Sequence, residues 1–204
     1  MRLTRVFAAA AVIALGASTA SAATITQLTG YGDLTPSVLL QNFEVSKDTA
    51  WVTFDATAFL CSAAACTSGV TPSGVQGLAD SALNDPLIGT LAADAFEVGL
   101  TFGNDDSLEF SVALGVYNEL DQLLGQVIVA ANRNDFADQF IGLRSDVGFR
   151  KVAVLFARPA AGNLSVYIDD LAVGNQTPIP EPASLLFIGS GLAGLAMRRR
   201  RRSR

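Results

Sequence analysis

Residues 108–117 alternate without a break. Leu108, Phe110, Val112, Leu114 and Val116 are apolar, and Glu109, Ser111, Ala113, Gly115 and Tyr117 lie between them. A strict period of two puts one set on each face of a β-strand, so this stretch must bury one face against a partner layer. Val52, Phe54, Ala56, Ala58 and Leu60 repeat the pattern with smaller side chains, Val152, Val154 and Phe156 make a third face, and Leu164, Val166 and Ile168 a fourth. Leu123–Ala130, with Val127-Ile128-Val129, reads as a strand buried on both faces. The polar run Asn118–Gln122 between 108–117 and 123–130 predicts a hairpin. Helical periodicity is confined to expected turns at Ala79–Leu83 and Asp135–Phe140. The expectation is an all-β fold, a single antiparallel β-sandwich of jelly-roll type.

Both ends depart from this pattern. Arg2 and Arg5 precede an apolar stretch from Val6 to Leu15, and Ala20-Ser21-Ala22 follows with the small side chains that signal peptidase needs. Residues 1–22 therefore read as a signal peptide cut after Ala22, with Ala23 as the alternative site. Ten apolar residues span only about 15 Å as a helix, half a hydrocarbon core, which argues against a permanent anchor. At the other end Pro178, Pro180 and Pro182 remove backbone donors and stop the globular domain. Residues 183–197 carry no charge and would cover about 22 Å as a helix, a short, transient membrane segment. Arg198, Arg199, Arg200, Arg201 and Arg202 then hold that end in the cytoplasm. The organisation is a leader at 1–22, a β-sandwich at 23–176 and a hydrophobic, arginine-ended tail at 177–204.

Charge narrows the function. Between the two ends stand 18 acids against six basic residues, a net of −12. Such a surface repels phosphate, so nucleic acid is excluded as a partner. The chain has no histidine, which removes histidine-based acid–base catalysis and metal ligation.

The tail resembles the PEP-CTERM sorting signal. Pro180, Glu181 and Pro182, a Gly-rich apolar stretch (Gly189, Gly191, Gly194) and the arginine cluster occur in that family's order. The resemblance implies a Gram-negative host and an exosortase, a membrane-embedded cysteine protease that acts near the Pro-Glu-Pro motif. Glu181 is then a recognition residue for another enzyme, and the product is exported to the cell surface or beyond. A simple tail anchor is the competing reading. Residues 96–174 also resemble the β-sandwich common in such proteins, through Val116-Tyr117, Leu124–Val127, Phe140-Ile141-Gly142 and Tyr167–Leu171.

Few residues suggest chemistry. Cys61 and Cys66 are close enough in sequence for a disulfide in an oxidising compartment, stabilising by about 2 kcal/mol; free thiols are the alternative. Asp105, Asp106, Asp169 and Asp170 are candidate calcium ligands, since calcium takes six to eight oxygens, and turn capping is the plainer role. Neighbouring strand residues face opposite ways, so Asp169 and Asp170 are not expected to pair as acid and base. Trp51 and Tyr117 fall on the less apolar faces of their strands, where they could stack on sugar rings, as could Tyr31 and Tyr167. No catalytic residue and no cofactor beyond that calcium candidate is expected. The expected function is a non-enzymatic surface protein associated with matrix or exopolysaccharide, with signal peptidase and exosortase as processing partners. A calcium-dependent glycan-binding module is the alternative, and a carboxylate-based hydrolase the least supported reading.

Overall fold

The computed structural model describes residues 23–36, 38–66, 71–80, 85–103, 109–132, 136–157 and 166–175. The leader with Ala20 and Ala22, the tail with Pro180, Glu181, Pro182 and its arginines, and Asp105 and Asp106 lie outside the described residues.

Among the described residues ten strands form: β1 Ile25–Leu28, β2 Leu39–Gln41, β3 Val52–Phe54, β4 Ala58–Ser62, β5 Gln76–Asp80, β6 Leu87–Phe102, β7 Ser111–Tyr117, β8 Leu123–Ala130, β9 Gln139–Ala157 and β10 Tyr167–Gly174. The main ladder runs β4-β5-β10-β6-β9-β7-β8, with β1 on β9, β2 on β10 and β3 on β6. The described pairings are antiparallel.

β6 and β9 are long because each serves two layers. Their ladder joins Glu97–Phe102 to Gln139–Arg144 and, past register shifts between Thr90 and Glu97, joins Leu87–Thr90 to Lys151–Val154. Extra residues at such irregularities bend a strand. The sheet folds over there into a larger layer (β4, β5, β10, β2, β1 and the distal ends of β6 and β9) and a smaller one (β3, β7, β8 and the proximal ends). Phe102 of the larger layer meets Phe110 and Phe156 of the smaller, with ring centroids 6.5 and 6.0 Å apart. Leu100, Ile141, Leu143 and Leu171 share one core with Val112, Leu114, Val116 and Val154, all at most 1% exposed. Truncating one of these leucines to alanine costs about 2–5 kcal/mol, by lost transfer energy and the cavity left behind. The fold is the expected antiparallel sandwich.

Cross-strand neighbours decide where the sequence pattern misleads. The expected strand over 52–60 is broken by a turn in which Asp55 O accepts from Ala58 N at 3.1 Å. Val52–Phe54 joins β6 and Ala58–Ser62 joins β5. β8 is not buried on both faces: it ends the ladder, Val127 alone of its residues is buried, and Ile128 is 57% exposed. Of the expected helical turns at Ala79–Leu83 and Asp135–Phe140, residues 81–83 and 135 lie outside the described residues, and the ends that are described join ladders, with Ala79 paired to Phe59 and Tyr167, and Phe140 to Thr101. Among the described residues the α-helical turn falls elsewhere, at Ala63–Cys66 (α1). The hairpin forms as expected, from β7 and β8.

The two ends of the domain meet in one row. Thr26 pairs with Arg144, Arg144 with Glu97, and Glu97 with Gly174. The chain therefore enters and leaves the larger layer at the same end, three strand spacings or about 14 Å apart.

Candidate functional site

The larger layer carries the acidic pair, and its outer face is closed. β10 is irregular between Asp169 and Ala172, and Asp170 has φ 49°, in the left-handed region. This irregularity overturns the expected alternation. Asp169 Oδ2 accepts from Ser73 N at 3.4 Å while Ser73 Oγ donates to Asp170 Oδ1 at 2.6 Å, so one residue touches both carboxylates. Asp169 Oδ1 also accepts from Asp170 N at 2.7 Å. Tyr31 closes the cluster, donating from its hydroxyl to Asp170 O at 2.6 Å and lying 3.0 Å from Thr101 Oγ1.

Asp169 is 0% exposed, and burial, opposed by the Asp170 amide and aided by the Asp170 carboxylate, pushes its carboxyl up to about 7. Burial also raises the Tyr31 and Tyr167 phenols. Tyr167 is buried with its hydroxyl unbonded, its ring against Gly77, where a Cβ would stand 2.5 Å from Cζ. A general acid must touch its substrate, and a carboxyl with no exposed surface offers it nothing to touch. Among the described residues, no group of three or more carboxylate or thiol side chains could hold a metal ion. Of the four candidate calcium ligands Asp169 and Asp170 meet at Ser73, while Asp105 and Asp106 lie outside the described residues.

The same face is fastened at its other end. Buried Glu97 accepts from Arg144 Nε at 2.6 Å and from Thr35 N at 2.8 Å, and Arg144 Nη2 donates to Asp33 O at 2.7 Å. At the edge strand β4, Cys61 and Cys66 are joined by a disulfide across α1, with Cα atoms 6.2 Å apart. Cys61 packs with Ala79, Ala137 and Tyr167.

The smaller layer is open. Leu114, Val116, Val152 and Val154 point to the core, so their neighbours Gly115, Tyr117, Lys151 and Ala153 face out. Register brings Ile88, Ala153 and Gly115 into one row and Thr90, Lys151 and Tyr117 into the next. A cleft of about 310 Å³ lies over them, lined by Pro86, Ile88, Tyr117, Asp121, Lys151 and Ala153. Gly115 lets the Tyr117 ring lie against the sheet, since a Cβ there would stand 3.3 Å from Tyr117 Cε2. The Lys151 ammonium is ion-paired to Asp121. Asp121 is presented from the hairpin turn with φ 59°. Asn118 braces that turn, its Oδ1 accepting from Leu120 N at 2.9 Å and Gln122 N at 3.0 Å. The cleft thus offers an apolar floor, one aromatic ring and a fixed donor–acceptor pair.

Of the four aromatic residues singled out from sequence, Tyr117 alone lines this cleft. Trp51 is half-buried against the core, Tyr31 is committed to Asp170, and Tyr167 is internal. Lys151 and Asp121 escaped notice in the sequence. The signal was there for Lys151: it precedes the inward-facing Val152, Val154 and Phe156, so it had to face out.

A model of the PEP-CTERM protein-sorting motif matches residues 178–202. The chain carries that motif, which marks it as an exported protein sorted by exosortase to the cell surface. No curated protein sequence is a significant relative. Among solved structures, the chain resembles TmCBM61 in complex with beta-1,4-galactotriose, at 18% identity and TM-score 0.42, covering 66% of this chain and 94% of that one. The K2 cleaved adhesin domain of Lys-gingipain is similar at 14% identity and TM-score 0.46, covering 67% and 99%. The CBM22-1 xylan-binding domain from Paenibacillus barcinonensis Xyn10C is similar at 8% identity and TM-score 0.39, covering 68% and 96%. Likenesses this distant carry no functional argument.

Proposed function

We propose that the protein is a non-catalytic surface or matrix module that holds polysaccharide in the cleft beside Tyr117. The cleft carries this reading. An aromatic ring over an apolar floor suits the C–H face of a sugar, and the adjacent charged pair suits its hydroxyls. The most perturbed carboxyl, Asp169, is by contrast sealed within the other layer. In this reading signal peptidase removes residues 1–22, exosortase acts near Pro180–Pro182, and the sandwich then meets exopolysaccharide outside the cell.

Binding is independent of calcium in this proposal, because the Asp169–Asp170 pair and the cleft lie on opposite outer faces with the core between them. The test is retention of the full-chain protein on immobilised polysaccharides, in millimolar calcium and in chelator. Equal retention in both, lost on Tyr117→Ala without a change in melting temperature, is the expected result. A protein retained by no polysaccharide would end this reading, and retention only with calcium would move the site to the acidic pair.

A further inference from the structure

We infer that the cleft takes an uncharged glycan and turns away uronates and other polyanionic chains. The inference rests on the glycan reading of the cleft and adds the chemical class of its ligand.

The charges at the mouth decide the matter. Lys151 is the cation among the lining residues, and Asp121 already neutralises it. Arg150, next in sequence, lies between Asp94 at 3.8 Å and Glu119 at 3.7 Å. Exposed Asp85 adjoins the lining residue Pro86. The lining pair is neutral, and Lys151, its neighbour Arg150, their ion-pair partners and Asp85 together number four carboxylates against two cations, on a domain whose segment between the two signals is itself net −12. Screening over about 8 Å removes most of the long-range repulsion at physiological salt, so the local rim does the selecting.

Hydrogen bonding points the same way. A sugar hydroxyl both donates and accepts, so it can lie between Lys151 and Asp121 and satisfy both without breaking their pair. A carboxylate only accepts. It could accept one of the remaining ammonium protons of Lys151 only by standing beside Asp121, two negative groups side by side, and like-charge juxtaposition at an interface costs several kcal/mol. The braced Asn118–Gln122 turn keeps Asp121 in place, so the pair is pre-set and not drawn in by the ligand. A volume near 310 Å³ is at the small end for binding pockets and suits one or two sugar rings.

The test measures the full-chain protein against dextran, xylan, galactan and mannan on one side, and polygalacturonate and alginate on the other, at low and high NaCl. The expected result is binding to at least one neutral chain, with an affinity that changes less than about twofold with salt. Tyr117→Ala should weaken that binding about tenfold or more, and Asp121→Asn should weaken it less while admitting polygalacturonate. Preference for a polyuronate, lost at high salt, would overturn the inferred class and leave the glycan reading standing. Binding to none of the six chains would overturn both.

Discussion

The two layers of this sandwich treat their outer faces in opposite ways. On the larger layer the N-terminal segment and the Ser73 loop lie across the sheet, where Glu97 and Asp169 accept from Thr35, Arg144, Ser73 and Asp170, and Thr101 donates to Asp169 O. On the smaller layer the cleft lies over the row from Ile88 to Gly115, and Tyr117, Lys151 and Ile128 reach solvent. Polar chemistry concentrates on the closed face, where it fastens loops. The cleft proposed for recognition sits on the open face, where little fastening is needed. A cluster of perturbed acids is therefore a poor guide to function here, because the strongest perturbation marks the best-sealed place.

The largest effect should come from unfastening the closed face. Arg144→Ala leaves Glu97 buried without its cation, at a cost of about 3–5 kcal/mol. Thermal unfolding should show a drop of roughly 10 °C. A drop no larger than that of a surface substitution would mean the clamp contributes nothing.

Asp169 should act next, and with a definite sign. Its carboxyl is raised from 3.8 to about 7 in the fold, so the native state holds a proton that the unfolded chain has lost across that window. Stability from this group is full below about pH 4, falls as pH rises towards 7, and is level above. Asp169→Asn should gain on the wild type as pH rises through this window, by on the order of 2 kcal/mol. Melting curves that stay parallel between pH 5 and 8 would show that Asp169 titrates normally.

Replacing Cys61 and Cys66 together by serine should cost about 2 kcal/mol, since the disulfide closes a short loop at the edge of the closed layer. Matching urea midpoints with and without the bond would remove that role. The open face should show the smallest response. Ile128→Thr on edge strand β8 is expected to stay within about 0.5 kcal/mol of wild type, and a loss above 2 kcal/mol would mean this face is covered in the folded protein.

The alternation at 108–117 and 152–156 made the smaller layer legible in sequence, because each of those strands has one wet face and a strict period of two. The larger layer hid itself for the converse reason. Val98, Gly99, Leu100, Thr101 and Phe102 are all buried, so no alternation survives to be read. The bulge at Asp170 was equally silent. A left-handed aspartate looks like any other in a string of letters, yet it turns both carboxylates toward one serine. Tyr117 could be chosen because it ends a regular strand. The outward facing of Lys151 was legible too, but its meeting with Asp121 was not, since a strand and a turn 30 residues apart meet only through register.

The row Thr26–Arg144–Glu97–Gly174 has a consequence for how the protein is hung. Two tails leaving one end act like two cords tied to the same corner of a parcel. Whichever cord is cut first, the parcel keeps its attitude, because the remaining one pulls from nearly the same point. Cuts at the two proposed sites would remove no described rung of the sheet, since among the described residues pairing runs from Ile25 to Gly174. In the processing proposed above, the order of the two cuts is thereby freed from the fold, since the paired core from Ile25 to Gly174 is the same on either route.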